Sequence, residues 1–347
     1  MRKVEVPLSQ CTEEDILADD IYNDKGVILV VKDTVINNFI KGRLLEMRIN
    51  TVQVYSPLNR TNCLEDTAYG RFRKNYKDTV LSLKQIIHDI SAGKKLDYRQ
   101  LINVTDLIYK TVKENNHIIS CLREIRDSDQ YTYTHCVNVA LYSMLIANWM
   151  KLPEEKIKKA IQAGLLHDIG KTKIPNEILN KKGRLTSGEF ELMKKHTLYG
   201  YDIVNEIEGI SIGVKRAVLL HHERIDCSGY PLSASAECIG IYARIVAVAD
   251  VYDAMTSERV YKKKASPFDA FEMFKTIGVG MFDPKILNVF LKNLATYYIG
   301  TDVVLSNGDL GRIVYIPPQN IISPVVDIYS KYIDLSREKE LKVAMIV

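Results

Sequence analysis

Three apolar stretches of this 347-residue chain run straight into ionisable side chains: AIQAGLLHD ends on His167 and Asp168, AVLLHH on His221 and His222, and ARIVAVAD on Asp250. Helices this apolar belong in a core, and a core does not hold a carboxylate beside imidazoles unless something offsets the lost hydration. A metal ion is the strongest such offset. Five of the seven histidines fall between positions 135 and 222, which adds His135 and His196 to the set. Imidazole nitrogen with carboxylate oxygen suits borderline transition metals, and an Asp can bridge two ions. The chain therefore reads first as a metallohydrolase.

The residues do not carry equal weight. An HD pair also arises when a core His bonds to a neighbouring Asp, and His135, at the head of THCVNVALYSMLIANWM, or His196 alone would read as a satisfied half-buried ring. Asp250 says more, because ARIVAVAD is almost wholly apolar until the carboxylate. Adjacent helical residues point about 100° apart, so His221 and His222 cannot easily chelate one ion but can serve two neighbouring ones. That adjacency predicts a dinuclear site.

Composition adds bounds. With 46% hydrophobic and 26% charged residues the chain is long enough for two or three folding units around a sizeable core. A net charge of +4 is too small for a protein that coats nucleic acid, and fits one that binds a small anion through local basic groups. MRKVEVPLSQ lacks the apolar region of a signal peptide, and no run reaches the roughly 18 apolar residues of a membrane span; the expected location is the cytoplasm. Cys11, Cys63, Cys121, Cys136, Cys227 and Cys238 are isolated, which predicts reduced thiols rather than disulfides.

Four segments follow from the patterning. Residues 1–64 read as a small α+β module: two short strands in DDIYNDKGVILVV around a turn at Asn23 to Gly26, a helix in VINNFIKGRLLEMRI and a strand in TVQVYS. Residues 65–122 form a helical connector and 123–296 an all-helical domain, with apolar residues at three- and four-residue spacing. Pro153, Pro175, Pro231, Pro267 and Pro284 mark its breaks, and Gly170 ends or bends the helix before it. Residues 297–347 alternate again, with a turn at Asn307-Gly308, and read as a small β appendage. The fold class is mainly α.

The ordered strings H…HDIGK…H…HHE…GYP…D resemble the HD-GYP subgroup of the HD-domain phosphohydrolases, whose members degrade the bacterial messenger cyclic di-GMP; the resemblance runs from about Arg123 to Leu291. It implies that His135, His167, Asp168, His196, His221, His222 and Asp250 are the metal ligands, with Asp168 bridging. It makes Lys171 a catalytic phosphate contact, and places Arg259 and Lys262 of TSERVYKKK on the substrate. The implied cofactor is a pair of divalent ions, iron or manganese, with zinc or nickel able to occupy the same donors. The implied reaction opens cyclic di-GMP to linear pGpG, or onward to GMP. A homodimer, and a signalling protein docked on the loop Gly229-Tyr230-Pro231, are further expectations.

Two positions depart from the family pattern. Some members carry a Glu four residues before the first His and bind a third ion; here that position is Tyr131, which predicts two. Cys227 stands where the family usually has Gly, and if the backbone there has positive φ its Cβ costs on the order of 1 kcal/mol. The rival readings are a catalytically silent cyclic-dinucleotide receptor, a phosphodiesterase for a mixed cyclic dinucleotide, and another HD-type nucleotidase. The last would not be expected to carry HHE and GYP.

Overall fold

The computed structural model describes residues 3–8, 11, 15–22, 28–47, 49–55, 68–115, 118–124, 131–257, 266–338 and 340–347. The chain divides into two compact units, Met1–Asn75 and Tyr76–Val347. In the first, strand β1 (Lys3–Pro7) pairs antiparallel with β4 (Thr51–Tyr55), Val6 opposite Val52, and β2 (Ile21–Tyr22) pairs with β3 (Ile28–Val30). Helix α1 (Asn38–Glu46) begins where the Asn37 side chain accepts the Ile40 N–H at 2.8 Å. Leu8, Leu17, Ile36, Leu44, Val52 and Val54 form the core of this unit. The expected turn at Asn23 to Gly26 lies outside the described residues. Strand β1 is an addition to the sequence reading, in which those residues served only to exclude a signal peptide.

The helical zone contains α2 (Ala68–Ser91), α3 (Tyr98–Lys113), α4 (Ile118–Glu124), α5 (Tyr131–Trp149), α6 (Glu154–Leu166), α7 (Asn176–Leu179), α8 (Ser187–Lys194), α9 (His196–Asn205), α10 (Ile212–Leu220), α11 (Ile241–Thr256), α12 (Pro267–Lys275) and α13 (Pro284–Thr296). Helix α5 is the hub, because residues 135–147 are buried without interruption apart from half-buried Asn138, and α6, α11 and α13 pack on it. Four of the five prolines named above start helices: Pro153 and Pro175 sit at the caps of α6 and α7, Pro267 and Pro284 at the first turns of α12 and α13. After α13 the chain forms an antiparallel sheet ordered β8-β7-β6-β5-β9, from β5 (Asp302–Leu305), β6 (Leu310–Tyr315), β7 (Val325–Ile328), β8 (Lys331–Asp334) and β9 (Val343–Ile346). Val303, Leu305, Ile313, Val326 and Val343 turn inward from it. The fold is mainly α, with an HD-type helical domain between a small α+β module and a β appendage.

Candidate metal centre

Five helices deliver the seven side chains. His135 lies in the second turn of α5, His167 and Asp168 follow the end of α6, His196 opens α9, His221 and His222 follow α10, and Asp250 lies in α11. The chain leaves α6 through a 3₁₀ turn, Ile169–Lys173, and Gly170 lets it pass α9: a Cβ on Gly170 would collide with the His196 carbonyl oxygen and the Gly200 backbone. That close approach brings His196 beside Asp168.

Hydrogen bonds orient the rings. The Nδ1–H groups of His167, His196 and His221 donate to the carbonyls of Gly164, Met193 and Val218, each at 2.8 Å, and the His135 Nδ1–H donates to Asp253 Oδ2 at 2.7 Å. A neutral imidazole committed at Nδ1 presents the lone pair of Nε2. The Nε2 atoms of all four rings face the same interior. The Nε2 atoms of His196 and His221 meet at 3.3 Å, an arrangement two neutral acceptors do not favour without a cation.

Two clusters account for the seven side chains, and a third group, Cys136 with His167 and Asp168, overlaps them. Donor atoms of His135, His167 and Asp250 lie within 4.8 Å of one another, as do those of Asp168, His196, His221 and His222. Asp168 links them: Oδ2 lies 3.2 Å from His167 Nε2 and 3.8 Å from His135 Nε2, while Oδ1 lies 3.5 Å from His196 Nε2. Asp250 Oδ1 approaches His135 Nε2 at 3.1 Å, and Oδ2 stands 3.9 Å from His222 Nδ1. Donor atoms of His221 and His222 fall in the same group, their ring centroids are 4.1 Å apart, and His222 Nδ1 also stands 3.9 Å from Asp250 Oδ2. The dinuclear argument rests also on the two oxygens of Asp168.

The electrostatics describe a site built for cations. Burial opposes ionisation of Asp168, yet His167 and Lys171 hold its carboxyl well below the usual range; burial likewise opposes ionisation of Asp250, and His135 overcomes it. Burial also opposes protonation of His135, but the bonded Asp250 and Asp253 carboxylates push its pKa up to about 9. Burial carries the His222 ring down to about 3, while burial and the neighbouring rings of His222 and His167 keep His221 well below the ordinary histidine value. His167 Nε2 and Asp168 Oδ1 are buried with no hydrogen-bond partner. Orphaned lone pairs in a nitrogen and carboxylate donor set fit two transition-metal ions.

Lys171 lies on the 3₁₀ turn with its side chain 28% exposed, and its Nζ is 2.6 Å from Asp168 Oδ2. Arg259 and Lys262 lie outside the described residues. Tyr131 is the first residue of α5, so it shares a helix with His135, one turn ahead. The GYP loop folds back on the site: Tyr230 stacks on His222 with centroids 4.6 Å apart, and a Cβ on Gly229 would strike the backbone of residues 222–224. Cys227 has φ of 65°, the left-handed region anticipated from the family's glycine.

Three side chains escaped the sequence reading. Asp253 orients His135, Asn138 bonds to Asp253, and buried Glu223 accepts the N–H groups of Leu232 at 2.6 Å and Ala234 at 3.0 Å, which ties down the loop. Asp253 had a visible signal, since it follows Asp250 at i+3 and so shares its helix face. Glu223 was in view within HHE, but nothing local marks it as a loop clamp.

Residues 120–286 match the HD domain family. A cyclic di-GMP phosphodiesterase of Thermotoga maritima is 31% identical over 277 residues, covering 78% of this chain and 69% of that protein. This chain belongs to the HD-GYP family. The family relationship extends to the cyclic di-GMP phosphodiesterase PA4108 of Pseudomonas aeruginosa, 35% identical over 253 residues, or 73% of this HD-GYP chain. The chain spans 60% of the length of that relative. An HDG"Y"P protein from Bdellovibrio bacteriovorus superposes with a TM-score of 0.55 at 16% identity, over 84% of this chain and 99% of that one, and so shares its fold. Among the described residues no helix is long and apolar enough to cross a membrane.

Proposed function

We propose that this chain hydrolyses cyclic di-GMP to linear pGpG, adding water at one phosphorus so that the P–O3′ bond breaks and the 3′ oxygen leaves as a hydroxyl. The observation that carries this reading is the pair of donor clusters joined by the two oxygens of Asp168. Bound there, two divalent ions would lower the pKa of a water between them and make it a nucleophile at neutral pH.

His135, His167 and Asp250 would hold one ion, His196, His221 and His222 the other, and Asp168 would serve both. Lys171 sets a cation beside the bridge, where it offsets charge on the non-bridging phosphate oxygens. Tyr230 holds the His222 ring by stacking. Arg259 and Lys262 are the proposed contacts to the rest of the substrate. The ions are iron or manganese, two in number, because Tyr131 offers no carboxylate for a third. The reading places the chain in the cytoplasm, with the site in segment 123–296, preceded in sequence by segments 1–64 and 65–122 and followed by 297–347. A homodimer, and a signalling protein on the Gly229 to Pro231 loop, belong to the same proposal.

The test is product chromatography after incubating iron- or manganese-loaded protein with cyclic di-GMP, a mixed GMP–AMP cyclic dinucleotide and cyclic di-AMP. Cyclic di-GMP should give pGpG that accumulates ahead of any GMP. Preferred turnover of the mixed ring would reassign the substrate, and binding without hydrolysis by metal-replete protein would make the chain a receptor. Asp168→Ala should lose both metal and turnover.

A further inference from the structure

Behind His135 runs a directed chain of hydrogen bonds. The Tyr76 hydroxyl, in α2, donates to Asn138 Oδ1 at 2.8 Å. Asn138 Nδ2 donates to Asp253 Oδ1 at 2.9 Å, Ser257 Oγ donates to the same oxygen at 2.9 Å, and the other oxygen of Asp253 accepts the His135 Nδ1–H. The directions are forced. An ionised carboxylate only accepts, so Asn138 must turn its amide nitrogen to Asp253 and its carbonyl oxygen outward, and the hydroxyl facing that oxygen must donate.

The placement is regular. Asn138 stands three residues after His135 on α5 and Asp253 three after Asp250 on α11, so each member of the chain lies one turn behind a proposed ligand on the same helix face. Tyr76 comes from a third helix, is buried, and belongs to neither donor group. Its hydroxyl reaches the site through Asn138.

We propose that Tyr76 is a positioning residue for His135. Through Asn138 and Asp253 it fixes the tautomer and tilt of that ring, and with them the strength of the ion position formed by His135, His167 and Asp250. In the other position the rings of His196 and His221 are oriented by carbonyls of their own chain segments and the His222 ring stacks on Tyr230, so these rings take their orientation from other partners. A movement of α2 that breaks the Tyr76 bond therefore weakens one ion position and spares the other. This rests on the dinuclear reading above. Partners that bond directly to a metal-ligating His typically change metal affinity about 10- to 100-fold; Tyr76 stands two bonds further out, and an effect of about 3- to 10-fold is expected.

The experiment titrates metal-stripped full-length chain with Mn(II), reading free ion by electron paramagnetic resonance against a competing chelator. Tyr76→Phe keeps the buried ring and removes only the donor. It should weaken one of two dissociation constants by about 3- to 10-fold and leave the other unchanged, with Asn138→Ala acting on the same constant more strongly. Thr105→Val is the control: it deletes a buried hydroxyl that bonds within α3, to Leu101 O at 2.7 Å, and should move neither constant. The proposal is overturned if Tyr76→Phe titrates like the wild type, or if both constants shift together. A wild-type chain that binds no Mn(II) would instead overturn the dinuclear reading itself. Tyr76→Phe decides the matter even if Asn138→Ala does not fold.

Discussion

At the scale of the residue, Lys171 and the buried histidines lead to different measurements. The Lys171 ammonium neutralises Asp168 in this structure and lies where a phosphate oxygen would bring a competing charge. A cation aimed at charge that grows in the transition state acts on kcat, so Lys171→Ala should retain both metals and lose roughly 100-fold in kcat. Raised KM at constant kcat, by steady-state kinetics, would assign it to ground-state binding. The histidines predict how the metal-stripped chain responds to acid. His222 is held down to about 3, His221 well below its ordinary value and His196 below it, in each case chiefly by burial. In the unfolded chain these rings take up protons near pH 6.5. The unfolded state then binds more protons than the folded one, so stability falls as pH drops below about 6.5. His135 has the opposite sign: its contribution is complete below about 6.5 and is lost as pH rises through about 9. Calorimetry in metal-free buffers should show the Tm falling from pH 7 to pH 5; a flat Tm there would mean the buried rings protonate without cost.

At the scale of the element, the ends of helices decide what the sequence could disclose. The ligand set was legible because a buried ionisable residue interrupts an apolar run, as in AVLLHH and ARIVAVAD, and the interruption survives without any knowledge of packing. What orients the His135 ring was not legible, because its bond to Asp253 joins two helices 118 residues apart in the chain. Strand β1 was missed for a related reason: KVEVP is too short to declare itself until it pairs with β4. Cys227 was legible, since a position that usually takes glycine implies positive φ, and 65° is observed. The side chain is exposed, so little packing offsets the strain. Cys227→Gly should therefore stabilise the loop by about 1 kcal/mol. A rise in denaturant midpoint without a change in m-value would bear this out, and a fall would show that the thiol makes a compensating contact.

At the scale of the molecule, the boundary between the helical domain and the β appendage can be argued from one ring. The change from helical to alternating patterning places that boundary at residue 296, where α13 ends. Tyr298 lies beyond it, yet is 1% exposed, with its hydroxyl 2.8 Å from the hydroxyl of Tyr252 and its ring centroid 6.0 Å from those of Phe268 and Phe271. Tyr252 sits two residues after Asp250 on α11, so the ring that opens the appendage completes the core beneath a proposed metal ligand. Periodicity cannot show this, because the apolar spacing of a helix ends before the aromatic residue that seals it. A chain cut after residue 296 leaves Tyr252 without that partner and opens a cavity of aromatic size, the kind of loss that costs about 3 to 5 kcal/mol. A chain cut after residue 300 loses the same five strands but keeps Tyr298. Its Tm should be higher by several degrees, and its metal content should stay near that of the intact chain. Equal Tm values for the two truncations would place Tyr298 with the appendage after all, and would leave residue 296 as the physical boundary.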